Sequence, residues 1–154
     1  MMGLAVLLHV IAVVIWVGGM FFAHQVLRPV AAGQLEPPVR LTLWVGVFGR
    51  FFPWVWASVA VVLATGLWMI FGVFGGMGMV GLYVHAMFGL GILMMLIFMH
   101  VFFAPYARLK RAVAAQDWPT GAKALGQIRL LVGINTLIGL LTIAVGAAGR
   151  YLVP

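Results

Sequence analysis

The chain has 154 residues, 66% of them hydrophobic and 7% charged, with a formal net charge of +7 and a mean hydropathy of +1.22. That composition excludes an ordinary soluble domain and points to a membrane protein. The absence of cysteine excludes disulfides, iron–sulfur clusters, thiolate-bound metals and c-type haem attachment.

Four apolar stretches are long enough to cross a bilayer, which takes roughly 20 residues each. They lie near 3–27, 51–72, 80–104 and 126–149. The expected fold is all-α: a single domain over 1–154, an integral membrane four-helix bundle set in the lipid bilayer. The first stretch lacks a basic n-region, and its apolar run is too long for a cleaved signal peptide. Residues 8–29 read LHVIAVVIWVGGMFFAHQVLRP, with His9 and His24 in an otherwise apolar run. AAGQLEPPVR follows and reads as a loop, because Gly33 and the Pro37–Pro38 pair interrupt a helix. LTLWVGVFGR reads as an interfacial piece before the second span. Trp44, Trp54 and Trp56 suit an aromatic belt there, and Pro53 suits a first helical turn. GVFGGMGMVG forms a glycine-rich turn. Residues 84–105, VHAMFGLGILMMLIFMHVFFAP, carry His85 and His100. PYARLKRAV suits a short basic interfacial helix, which Trp118, Pro119, Thr120 and Gly121 would stop. The fourth span carries Gly133, Gly139 and Gly146, which would let helices approach closely.

All the cations but Arg150 sit at one side. The connection after the first span holds Arg28, Arg40 and Arg50, and that after the third holds Arg108, Lys110, Arg111, Lys123 and Arg129. The turn after the second span has no charge. The positive-inside rule puts both basic connections in the cytoplasm and both termini outside. The basic balance thus reflects topology and gives no reason to expect nucleic-acid binding.

The four histidines form a repeat. His9 and His24 are fifteen residues apart, as are His85 and His100, and a proline follows each pair five residues on. The histidine pairs are offset by 76 residues; Arg50 and Arg129, which open the second and fourth spans, are offset by 79. Two tandem two-helix repeats in the same orientation would produce this pattern. Fifteen residues of helix cover about 22 Å and turn the azimuth by about 60°. Parallel first and third spans would then set His9 level with His85, and His24 level with His100. Imidazole suits haem iron, which takes two axial ligands. The expectation is two b-type haems per chain, the outer on His9 and His85 and the inner on His24 and His100. Trp16 would stand between them. Arg50 and Arg129, with Arg28 and Arg108, would face the inner propionates; Arg150, Tyr83 and Tyr151 are the outer candidates. The plainer alternative is that each histidine hydrogen-bonds to a neighbouring helix. The only acids, Glu36 and Asp117, lie in connections, which argues against carboxylate-coupled proton transport and zinc hydrolysis. Met77, Met79, His85 and Met87 cluster at the other end, where thioether and imidazole would suit Cu(I).

The run His9-x6-Trp16-Val17-Gly18-Gly19-Met20-Phe21 resembles the opening helix of the copper-resistance D (CopD) family, whose superfamily includes the HemJ-type protoporphyrinogen oxidases. The resemblance implies a bacterial inner-membrane protein and, in the HemJ branch, bound haem b. That branch carries a lysine two residues after the histidine that opens the third span; here Met87 stands there. The histidine spacing is also similar in geometry to the dihaem cytochrome b of quinol–cytochrome c reductases. The leading expectation is a dihaem b-type membrane cytochrome, passing electrons to or from quinone or a periplasmic redox partner. The alternatives are a HemJ-like oxidase with one haem b, or a CopD-like copper transport or handling protein. Whether the chain is an enzyme, and whether it is a homo-oligomer, stays open at this point.

Overall fold

The computed structural model describes residues 1–152, and among them there is no strand. Helix α1 (Met2–Phe21) passes through a π-helical turn (Phe22–Leu27) into α2 (Arg28–Gln34). Helix α3 (Pro37–Leu67) continues through a second π-helical turn (Trp68–Val73). After a short 3₁₀ turn (Met77–Met79) come α4 (Leu82–Phe103), α5 (Pro105–Ala114) and α6 (Trp118–Leu152). Four continuous helical stretches are long and apolar enough to cross a membrane: Met2–Gln34, Pro37–Val73, Leu82–Ala114 and Trp118–Tyr151. The chain is an all-α membrane four-helix bundle, as its hydropathy predicts.

The helices run further at their basic ends than the sequence suggests, and prolines explain why. Only Leu35 and Glu36 separate α2 from α3, in place of a ten-residue loop. Pro37 and Pro38 fall in the first turn of α3, where a missing N–H costs nothing. Pro53 is not in a first turn but inside α3. Its lost donor leaves the carbonyl of Gly49 without its usual partner, and the Tyr106 hydroxyl lies 3.4 Å from where a Cβ on Gly49 would be. Pro119 likewise sits in the first turn of α6, so residues 118–121 start that helix rather than stop α5. Asp117 accepts a hydrogen bond from the Thr120 N–H at 3.2 Å, capping α6. Hydrogen bonding from Thr120 holds this carboxyl below its ordinary range. What ends α5 is Gln116, whose φ of 55° is left-handed.

Helix α1 packs along α3 and, less extensively, on α6; α4 packs along α6. Helices α3 and α4 meet through aromatic rings, with Trp56 and Phe98 centroids 5.1 Å apart and Phe52 and Phe98 5.4 Å apart. Helices α1 and α4 therefore sit across the bundle from each other, touching at its centre through Trp16 and Phe98. Along α3 the buried residues Leu41, Trp44, Phe48, Phe52, Val55 and Val59 recur every three or four positions, the period of one helix face. Trp44, Phe48 and Phe52 stack at successive centroid distances of 5.0 Å. Trp44 is thus a core residue and not part of an aromatic belt, whereas Trp54 is 62% exposed. The glycines of α6 do permit close approach. A Cβ on Gly139 would collide with Val17 of α1 and Met94 of α4.

Helix α5 is the basic helix expected after the third span. It buries Pro105, Tyr106, Leu109 and Ala112 against the bundle and turns Arg108, Lys110 and Arg111 outward. Arg108 donates to the Gln127 side-chain carbonyl at 2.6 Å, tying α5 to α6. It is thereby engaged within the protein.

Candidate functional site

The two histidine pairs face in opposite directions. On α1 and the π-helical turn after it, Ala12, Trp16, Val17, Met20 and Ala23 are buried. His9 and His24 lie on the same broad face and are half-buried. On α4 the buried residues are Met94, Met95, Phe98 and Val101. At about 100° per residue, His85 lies about 180° from Met94. Both His85 and His100 are exposed. Neither histidine of α1 is therefore brought together with its level partner on α4 in one interhelical space. The periodicity of a nearly uniform apolar helix could not reveal this, because its buried and outer faces carry the same residue types.

His9 hydrogen-bonds to Thr65 of α3, Nδ1 to Oγ1, at 2.8 Å. Thr65 gives its only hydroxyl proton to the Val61 carbonyl, so the His9 Nδ1–H donates and Nε2 keeps its lone pair. This is the interhelical bond of the plainer reading. His85 donates to the Gly81 carbonyl of its own first turn. Met87 turns away from His85 and packs where a Cβ on Gly146 would stand, while Met79 is 76% exposed. Of the residues of the copper expectation, Met87 thus packs into the bundle while His85 and Met79 are exposed. Among the described residues no three His, Asp or Glu side chains converge. Arg150 is engaged with Tyr151, as donor to its hydroxyl and over its ring. Between the two histidine levels the bundle is filled: the space beside Trp16, Phe98 and Asn135 is only about 20 Å³.

At the basic end the arrangement is different. His24, Arg28, Arg40 and Arg129 line one cavity of about 460 Å³, with walls that include Leu41, Trp44, Phe48, Leu125, Ile128 and Val132. Cavities of roughly 300–1,000 Å³ with apolar walls and a few convergent polar groups are the usual form of a small-molecule site. The His24 ring lies against α6 because residue 133 has no side chain: a Cβ there would come within 2.8 Å of Nε2. His24 Nδ1 is buried and has no protein partner. The chain holds only two carboxylates, Glu36 and Asp117, too few to neutralise the arginines gathered here. Of the residues expected at the inner level, His24 and Arg129 share this cavity, while His100 and Arg50 do not line it and are exposed. The contribution of Arg40 and the aromatic wall of Trp44 and Phe48 went unread, because residues 31–50 read as loop and interface. Continuous helix over Pro37–Leu67 is what places them on one face with Phe52.

A haem group can be tested against this cavity on its own residues. An imidazole without a protein partner at Nδ1 suits iron, an apolar and aromatic wall suits a macrocycle, and three guanidinium groups suit two carboxylates. These three features are present together, so the residues fit the group.

A protein-family model described as Copper resistance protein D matches residues 45–148. The match covers most of α3 and all of α4 and α5, with nearly all of α6. It leaves out α1 and α2, and so His24, Arg28 and Arg40. Comparison with curated proteins and with solved structures gives no match.

Proposed function

Because this chain belongs to the copper resistance protein D family and has four helices built to span a membrane, we propose that it is a haem-binding redox protein of the bacterial inner membrane, holding one b-type haem at the basic end of its bundle. One observation carries the reading. His24, whose Nδ1 is buried without a protein partner, lines a 460 Å³ cavity that also gathers Arg28, Arg40 and Arg129. His24 would hold the iron, which when bound supplies a one-electron couple. The three arginines would neutralise the carboxylates. Trp44, Phe48 and Val132 would shape the apolar wall and exclude water. One haem is favoured over two because His85 and His100 are exposed on the outer side of α4. A quinone, which moves within the bilayer, is the partner class that could reach this end from the side. Protoporphyrinogen oxidation is not carried further, since Met87 packs on Gly146 and offers no charge.

Copper handling is the second reading, favoured by the family's description. Haem, iron and copper counted on one purified sample separate the two. The expected result is about one haem per chain by pyridine haemochrome, with iron to match and little copper. Copper in equal amount to protein, with no haem, would establish the second reading in its place.

The arginines of the cavity also set the orientation. They belong to the basic connections, which the positive-inside rule assigns to the cytoplasm. A reporter fused to the C-terminus should therefore be active in the periplasm and silent in the cytoplasm. The reverse pattern would turn the bundle over and move the haem to the outer face.

A further inference from the structure

Cations also gather where α5 meets α6, outside the cavity. Helix α5 buries Leu109 at the centre of its inner face. At about 100° per residue, Arg108 and Arg111 stand about 60° apart on one flank of that face, and Lys110 stands on the other. Lys110 lies over the Tyr106 ring, 4.6 Å from its centroid. The bond from Arg108 to Gln127 and the approach of Gly121 to Leu109 and Ala112 show that α5 and α6 run antiparallel. Arg111 is one turn on from Arg108, and Lys123 is one turn back from Gln127. These two cations therefore stand at one level on neighbouring helices. Arg108, Arg111, Lys123 and Gln127 are all exposed. Lys123 lies about 120° around α6 from Arg129, and neither it nor Arg111 lines the cavity. The only carboxylate of this connection, Asp117, is bonded to the Thr120 N–H.

We propose that this corner holds the phosphate of an anionic phospholipid from the surrounding bilayer, against Arg108, Arg111 and Lys123. Depth argues for a lipid. The 22 residues of α4 span about 33 Å, close to the thickness of a hydrocarbon core, so α5 begins where the headgroups begin. Arg108 and Arg111 lie about 6 and 10 Å beyond Ala104 along the helix, and arginine side chains are long enough to reach back over such a distance. Arg108 uses one nitrogen on Gln127 and keeps further N–H donors of its fork. Guanidinium and ammonium groups hold phosphate oxygens by charge-assisted hydrogen bonds, and basic clusters just beyond a span recognise anionic headgroups. On the Lys123 face of α6 the chain then turns apolar, with Leu130 and Leu137 exposed, so an acyl chain can continue from the held phosphate. A phosphate free in water would make no use of that stretch.

The test exchanges the protein into vesicles of equal phosphatidylglycerol and phosphatidylcholine, extracts it in mild detergent and counts the lipids kept by each chain by native mass spectrometry. Phosphatidylglycerol should be kept over phosphatidylcholine by at least about tenfold, since each cation near an anionic surface contributes roughly fivefold. Replacing Arg111 and Lys123 together with glutamine should lower that preference about tenfold, less than full multiplication because the two are neighbours. Lys110→Gln should keep it within about twofold, because Lys110 stands on the other flank of α5. Glutamine at these exposed positions leaves the fold intact, which circular dichroism checks. Inorganic phosphate in millimolar excess should not displace the lipid. No preference in the native protein, an equal loss in Lys110→Gln, or a loss only when Arg28, Arg40 and Arg129 are replaced would overturn the proposal. Displacement by inorganic phosphate would do so too.

Discussion

Replacing His24 with alanine is expected to cut haem retention by at least tenfold while the bundle stays folded. The size follows from the role. Removing a group that only orients a metal ligand typically costs 10–100-fold in affinity, and removing the ligand itself should cost no less. The fold should survive for a structural reason. His24 Nδ1 has no partner in the protein, and the backbone group beside the ring, at Arg129, belongs to the continuous helix α6. The core rests on Trp16, Phe52, Phe98 and their neighbours. His85→Ala and His100→Ala should keep their haem, since both side chains are exposed on α4. The readout is haem per chain in detergent-purified protein, with helical content checked by circular dichroism. Full retention in His24→Ala would remove the cavity from consideration. Loss in His100→Ala would restore the two-level pairing of α1 with α4.

How much of this was legible in the sequence depends on which physical signal each feature leaves. The four spans are visible because twenty apolar residues have no other common use. The basic end is visible because arginines gather in two of three connections. The register of α3 is not visible, because Pro37, Pro38 and Pro53 are stop signals in general, whereas here the first two open the helix and the third is carried inside it. Trp44 looks like an interface anchor until Leu41, Phe48 and Phe52 are seen on the same face. The directions of the histidines are the least legible feature. In a soluble helix polar residues mark the outer side, but here both sides are apolar, so spacing fixes relative azimuth and says nothing of which way is in. His9 and Thr65 lie 56 residues apart, and only the packing of α1 on α3 brings them together.

The arginines of the cavity should act as a set. Arg28 and Arg40 are half-buried and Arg129 is exposed, although all three line the same space. Each charge remains partly in water, so a single pairing with a ligand carboxylate is worth at most about 1 kcal/mol, or about fivefold. A single Arg129→Gln variant is therefore expected to release haem only a few times faster. Replacing Arg28, Arg40 and Arg129 together should raise release more than tenfold, less than full multiplication because neighbouring charges do not act independently. Arg50→Gln serves as the control, since Arg50 is exposed and does not line the cavity. Transfer of haem to an excess of an acceptor protein gives the rate. Measuring at low and high salt identifies the cause, because ions screen partly exposed charges. The native protein should lose haem faster as salt rises, and the triple variant should be nearly indifferent to it. If Arg50→Gln matched the triple variant, or the triple variant kept the native salt dependence, the carboxylates would not be held here. His24 would then stand as a ligand without the cationic surround that places an anionic macrocycle at this end of the bundle.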